Sequence, residues 1–153
     1  MNSKESQEIQ QVLDRCRNLG LRCTSLVNRT IDLFVKSGKP LTTKEIVDSE
    51  NIASRFDQAS VYRLITRLEQ RGIVRRIGML ERSAYFSLRH HHQCDDYIVC
   101  TTCGGIQKLE MDCPVDSVQK TIARASGYRN LEHELKFFGI CPDCQNAELG
   151  SGS

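Results

Sequence analysis

The chain has 153 residues, room for one medium domain or two small ones, and its 39% hydrophobic and 26% charged content suits a water-exposed globular fold. No apolar run approaches the ~20 residues of a membrane span, and no N-terminal stretch pairs a basic flank with an apolar core, so the expectation is a cytoplasmic chain with reduced thiols and no membrane partner. The net charge of +2 conceals an asymmetry: residues 1–92 carry 16 Lys and Arg against 10 acids, whereas residues 93–153 carry 5 against 9. Within 54–92 there are eight Arg, three acids and no Lys, the footprint of a polyanion-binding module joined to a second unit with another task.

In chain order, Ile9, Val12, Leu13 and Cys16 recur at helical spacing over 5–19, and Gly20 ends the run. Thr24 or Ser25 can cap a second helix that buries Leu26, Val27, Thr30, Ile31, Phe34 and Val35 and stops at Ser37 and Gly38. Thr42 or Thr43 can cap a short third helix over 44–49, with Ile46 and Val47 inward, before a loop. A fourth helix, capped by Asp57 or Ser54 and ended by Gly72, buries Val61, Leu64, Ile65 and Leu68. Strands are expected over 73–77 and 83–88, with a turn around Gly78. Three helices and a β-hairpin make a winged helix-turn-helix, whose last helix fits the major groove of double-stranded DNA. Its polar face offers Ser60, Tyr62, Arg63, Thr66 and Arg67, with Arg55 just before it; a merely solvated arginine face is the alternative.

In the second half, 97–99 and 105–109 are strand-like, 115–125 is helical after Pro114, and 131–138 alternates polar and apolar residues. That alternation sends Glu132, Glu134 and Lys136 to solvent, and Leu131, His133, Leu135 and Phe137 inward or toward a partner. So small a unit with an apolar strand face is best completed by a second copy. Residues 148–153 are expected as a disordered tail.

The strongest chemical signal is Cys100-x2-Cys103 and Cys141-x2-Cys144, two knuckles separated by 37 residues. Tetrahedral Zn²⁺ takes four thiolates, and each CxxC turn supplies two, helped by Gly104 and Gly105 after the first and Pro142 within the second. A disulfide framework and a redox-active CxxC are the alternatives; the latter requires an exposed, low-pKa thiolate.

With Ala59-Ser-Val-Tyr-Arg63 on the fourth helix, the His run at 90–92, both cysteine pairs and Gly20-Leu-Arg-Cys-Thr24, the sequence resembles the ferric uptake regulator superfamily, including its zinc uptake regulators, over about residues 8–145. The resemblance implies an α+β protein: a winged-helix DNA-binding domain (1–88), a hinge (89–94) and a small α/β metal-binding dimerisation domain (95–147). It implies no enzyme but a homodimeric, metal-dependent repressor of metal-homeostasis genes, with metal as corepressor. A peroxide sensor on the same scaffold and a CxxC thiol oxidoreductase are the alternatives. Arg55, Ser60, Tyr62, Arg63 and Arg67 are the expected DNA contacts, and the four paired cysteines the structural zinc site.

The family's usual sensory cage is altered. Asp95 and Tyr97 stand where a His-x-His pair is common, Ser87 and Lys108 replace its other usual positions, and Gly38-Lys39-Pro40 has no histidine. The resemblance places His133, Asp96 and Asp116 at a second family metal site, with Cys94 where that site normally has a histidine, and together with His90, His91 and His92 these are the expected regulatory site for Zn²⁺ or Fe²⁺. Cys16 and Cys23 read as packing or surface thiols, and Cys113 stays open between packing and ligation.

Overall fold

A computed structural model describes residues 2–80, 83–89, 96–109, 111–133 and 135–150. The chain divides into two compact units, Met1–Arg89 and His90–Ser153.

The first unit runs α1 (Ser3–Asn18), α2 (Ser25–Ser37), β1 (Leu41–Thr42), α3 (Thr43–Asp48), α4 (Glu50–Ala53), α5 (Gln58–Gln70), β2 (Val74–Leu80) and β3 (Ser83–Leu88). Each longer helix forms because its apolar residues share one face and its first turn is capped. Thr24 accepts from the Val27 amide at the start of α2, and Gly38, at φ +61°, closes the other end in the left-handed conformation. Thr42 and Glu45 form a reciprocal capping box on α3. The buried face of α2 is Leu26, Val27, Thr30, Ile31, Phe34 and Val35, and that of α5 is Val61, Leu64, Ile65 and Leu68. These side chains meet Val12, Leu13, Ile46, Ile52, Ile73, Phe86 and Leu88 in one core, each large aliphatic residue contributing about 1.5–3 kcal/mol by leaving water.

Three details differ from the sequence reading. The loop expected after α3 contains the short helix α4, because Ile52 is fully buried and draws 50–53 onto the core. Gly78 is not a turn: β2 continues to Leu80, and a β-bulge between Arg76 and Gly78 shifts its pairing with β3. The two-residue β1 adds a third strand, giving the antiparallel order β1-β3-β2.

The second unit holds β4 (Tyr97–Cys100), β5 (Ile106–Lys108), α6 (Asp116–Ser126), β6 (Lys136–Gly139) and α7 (Pro142–Gly150). The central strand β4 pairs antiparallel with β5 and parallel with β6. The strand expected over 131–138 is confined to β6, and the expected tail begins inside α7, which runs to Gly150. The interior is thin. Tyr97, Val99 and Cys100 are its buried hydrophobic residues among those described, and neither α6 nor α7 buries a residue.

Candidate functional site

On the first unit, the exposed face of α5 carries Tyr62, Arg63, Thr66 and Arg67, with Arg55 exposed just before the helix. Asp57 caps the helix by accepting from the Ser60 amide at 2.7 Å; the Ser60 hydroxyl, and then this amide bond, hold its carboxyl below the usual range. Ser60 is half-buried, and its hydroxyl accepts from the Arg63 guanidinium at 3.3 Å, so it steadies Arg63 as well as facing outward. Arg76 on β2 lies 5.4 Å over the Phe86 ring and 3.5 Å from Glu69, which ties the hairpin to the end of α5.

In the second unit, Cys100 closes β4 and Cys103 follows within one turn, which Gly104 completes at φ +77°. Cys141 directly precedes α7 and Cys144 lies in its first turn. Because β6 lies parallel beside β4, and Thr101 bonds to the Gly139 carbonyl at 2.8 Å, both knuckles emerge at the same end of the sheet. The four sulfurs lie within 4.8 Å of one another, with Cys100–Cys144 and Cys103–Cys141 separations of 3.9 Å. A tetrahedron with Zn–S bonds of ~2.3 Å has edges of about 3.8 Å, so the geometry fits zinc. All four are free thiols, against the disulfide reading.

Backbone amides prepare the cluster for charge. Those of Cys103, Cys141 and Thr102 point at the Cys100 sulfur and bring its pKa down to about 6. Cys144, hydrogen-bonded to Cys141 and near Cys103 and the Cys100 thiolate, is pushed up to about 12. Sulfurs this close ionise together only when a cation offsets their repulsion. The oxidoreductase reading requires one thiolate that is both exposed and low in pKa; here the low-pKa Cys100 is buried, and Cys103 is the exposed thiol of the pair.

A second donor group joins Asp96, Cys113 and His133, again with all ligand atoms within 4.8 Å. Asp96 immediately precedes β4 and is 3% exposed; its carboxylate faces His133 Nε2 at 3.8 Å. The same nitrogen lies 3.2 Å from Cys113 Sγ. Across a tetrahedral zinc, N···S and N···O separations are about 3.4–3.6 Å. Asp96 and His133 were in the expected regulatory set. Asp116, also expected there, instead pairs with Lys120 at 2.9 Å on the exposed first turn of α6, outside this group. His90, His91, His92 and Cys94 lie outside the described residues.

Sequence reasoning left Cys113 open and missed Gln119. The Gln119 amide nitrogen donates to the Leu131 carbonyl, so its oxygen faces His133 Nδ1 and accepts from it. His133 therefore carries a proton on Nδ1, and in the neutral ring Nε2 is the lone-pair donor facing Cys113 and Asp96. A glutamine on an amphipathic helix has no periodicity or spacing that marks it as a histidine partner. Cys113 had one signal, its place before Pro114 at the entry to a helix. Cys113 is held in a disulfide.

A winged helix-turn-helix followed by a small α/β unit with a four-thiol zinc cluster defines a metal-responsive DNA-binding regulator. The sequence pattern of the ferric uptake regulator family matches residues 18–138, and the chain belongs to that family. The ferric uptake regulation protein of Neisseria gonorrhoeae is 31% identical over 135 residues, spanning 84% of this chain and 90% of its own. Among solved structures, the Helicobacter pylori ferric uptake regulator, reported with three functional metal binding sites, aligns with a TM-score of 0.67 at 21% identity, over 90% of this chain and 93% of its own. A zinc uptake regulator solved with zinc and DNA aligns with a TM-score of 0.61 at 18% identity, over 97% and 99%. At these identities the structural likeness speaks for the fold alone.

Proposed function

We propose that the chain is a homodimeric, metal-dependent repressor that binds a double-stranded DNA operator of metal-homeostasis genes in the cytoplasm, with a divalent metal as corepressor. Residues 1–88 form the DNA-binding domain, 89–94 a hinge, and 95–147 the metal-binding dimerisation domain. The observation that carries this reading is the division of labour along one chain: an exposed Tyr62–Arg63–Arg67 face on a capped helix, and two donor clusters in the other unit. Arg63 and Arg67 donate to guanine edges or phosphates, Tyr62 reaches the backbone or a thymine methyl, and Arg55 and Ser60 add contacts at the helix start.

The cysteine cluster holds structural Zn²⁺, whose binding energy is also folding energy for a unit with so small an interior. Dimerisation is supported by the apolar surface this unit leaves open: Val118 and Ile122 on α6, and Phe137, Phe138 and Ile140 at and after β6, are 42–68% exposed. The regulatory ion, Zn²⁺ or Fe²⁺, is held by Asp96 and His133 with donors from 90–94. It acts only through its difference in affinity between DNA-competent and incompetent forms. Titration of DNA binding against Zn²⁺, Fe²⁺ and Mn²⁺, using protein that keeps its cysteine-bound zinc, tests the reading. Metal-dependent binding that Arg63→Ala or Tyr62→Ala weakens, with zinc content and dimerisation intact, is the expected result. Equal binding with and without added metal refutes the corepressor role.

A further inference from the structure

We propose that Cys113 is a thiolate ligand of the regulatory ion, with Gln119 as the positioning residue that turns His133 toward it, so that this site prefers Zn²⁺ over Fe²⁺. The inference rests on reading the acidic unit as the metal sensor, and names the ligand that sets its selectivity.

Three observations converge on Cys113. Its sulfur lies 3.2 Å from His133 Nε2, a separation suited to two ligands sharing one ion. Gln119 accepts from Nδ1, so the neutral ring is held in the tautomer whose Nε2 is a lone-pair donor aimed into the group. The third member, Asp96, is buried to 3% exposure and sets a carboxylate oxygen 3.8 Å from the same nitrogen, an oxygen donor within reach of a shared ion. Together they supply sulfur, nitrogen and oxygen from three separate segments: the approach to α6, the approach to β6 and the start of β4. One such set with a fourth ligand makes a tetrahedral site. A thiolate in it shifts preference from Fe²⁺ and Mn²⁺, which tolerate all-oxygen and nitrogen cages, toward Zn²⁺ and its spectroscopic stand-in Co²⁺.

Gln119 matters through His133. Its two hydrogen bonds run in opposite senses, one donated to Leu131 and one accepted from the ring, so the amide cannot flip without losing both. A side chain that cannot accept from Nδ1 would free the ring to move its proton to Nε2, where it blocks metal binding.

Because Cys113 sits in a disulfide, its thiolate must first be released. Exchange with a dithiol reductant breaks the S–S bond, leaves two protein thiols, and converts the reductant to its own disulfide. Metal loading at this site is therefore tied to the reduced state of one sulfur.

The test is a Co²⁺ titration of the reduced full-length protein carrying its cysteine-bound zinc, followed by the thiolate-to-cobalt charge-transfer absorption, with zinc content measured throughout. The parent is expected to develop this band at constant zinc, and Cys113→Ser to lose it. A band of parental intensity in Cys113→Ser overturns the proposal. Gln119→Leu is expected to weaken Co²⁺ binding about 10–100-fold, and Gln119→Glu, which can still accept from Nδ1, to recover most of the loss. Parental affinity in Gln119→Leu overturns the positioning role. DNA is absent from these measurements, so their failure is distinguishable from failure of the repressor reading.

Discussion

Cys141→Ser isolates one ligand of the four-sulfur cluster with little else disturbed. The Cys141 amide that donates to Cys100 Sγ at 3.3 Å is main chain and survives, as does the carbonyl that accepts from Gln145 at the start of α7. What disappears is the sulfur 3.9 Å from Cys103 Sγ, replaced by a hydroxyl that is a poor zinc ligand. A structural zinc contributes roughly 10–16 kcal/mol. An even share puts one thiolate at about 2.5–4 kcal/mol, or about 100- to 1000-fold in zinc affinity. Competition with a chromophoric chelator reads the affinity, and gel filtration with circular dichroism reads dimerisation and the melting of the second unit. The expected result is weaker zinc, a lower melting temperature for the second unit, and an unchanged melt for the first. Zinc held within a few-fold of the parental affinity, in a dimer of parental stability, refutes the four-thiolate assignment.

For Arg63→Ala, a base contact predicts a loss of ~1–3 kcal/mol in operator affinity with relaxed preference at one base pair; uniform loss with a shallower salt slope assigns it to phosphate instead. His133→Ala should raise the metal concentration needed for DNA binding while leaving cysteine-bound zinc in place; a parental response in DNA-binding titrations would make His133 a packing residue. Leu68→Ala, at a fully buried position of α5, should cost 2–5 kcal/mol in denaturant unfolding of the first unit without altering zinc content. Asp57 has a lowered pKa in the folded state, so its cap stabilises α5 above the unfolded value of about 3.9 and is lost as pH falls through the lower folded value. Asp57→Ala should therefore differ from the parent in thermal stability at neutral pH, and the two should converge at pH values below that folded value.

The helical half was legible because its chemistry is local. The buried faces of α2 and α5 follow from spacing alone, and their caps, Thr24 and Asp57, were among the residues that spacing nominated. Where the structure departed, a distant contact decided. Ile52 made a helix of an expected loop by finding the core, and the bulge at Ile77 placed Gly78 inside a strand. The cysteine clamp was readable because each half is a local turn with its own signature. The second donor group was only half readable, since Asp96, Cys113 and His133 meet through the fold and share no spacing rule. Asp116 illustrates the converse: near in sequence to Cys113, it faces Lys120 on the outside of α6.

The parallel pairing of β4 with β6 sets an order of events during synthesis. When β4 leaves the ribosome its neighbour does not yet exist, and Cys100 and Cys103 form a half-site with two thiols to offer. All of α6 must follow before β6 can dock and bring Cys141 and Cys144 to the same end of the sheet. By then the core of the first unit, which ends at Leu88 and contains none of the four clustered cysteines, is fully synthesised. The four-thiol site can thus be completed only after β6 has been made. A nascent chain made during zinc starvation would carry a folded DNA-reading unit on an unclosed partner-binding unit, exposed to oxidants and proteases until the ion arrives.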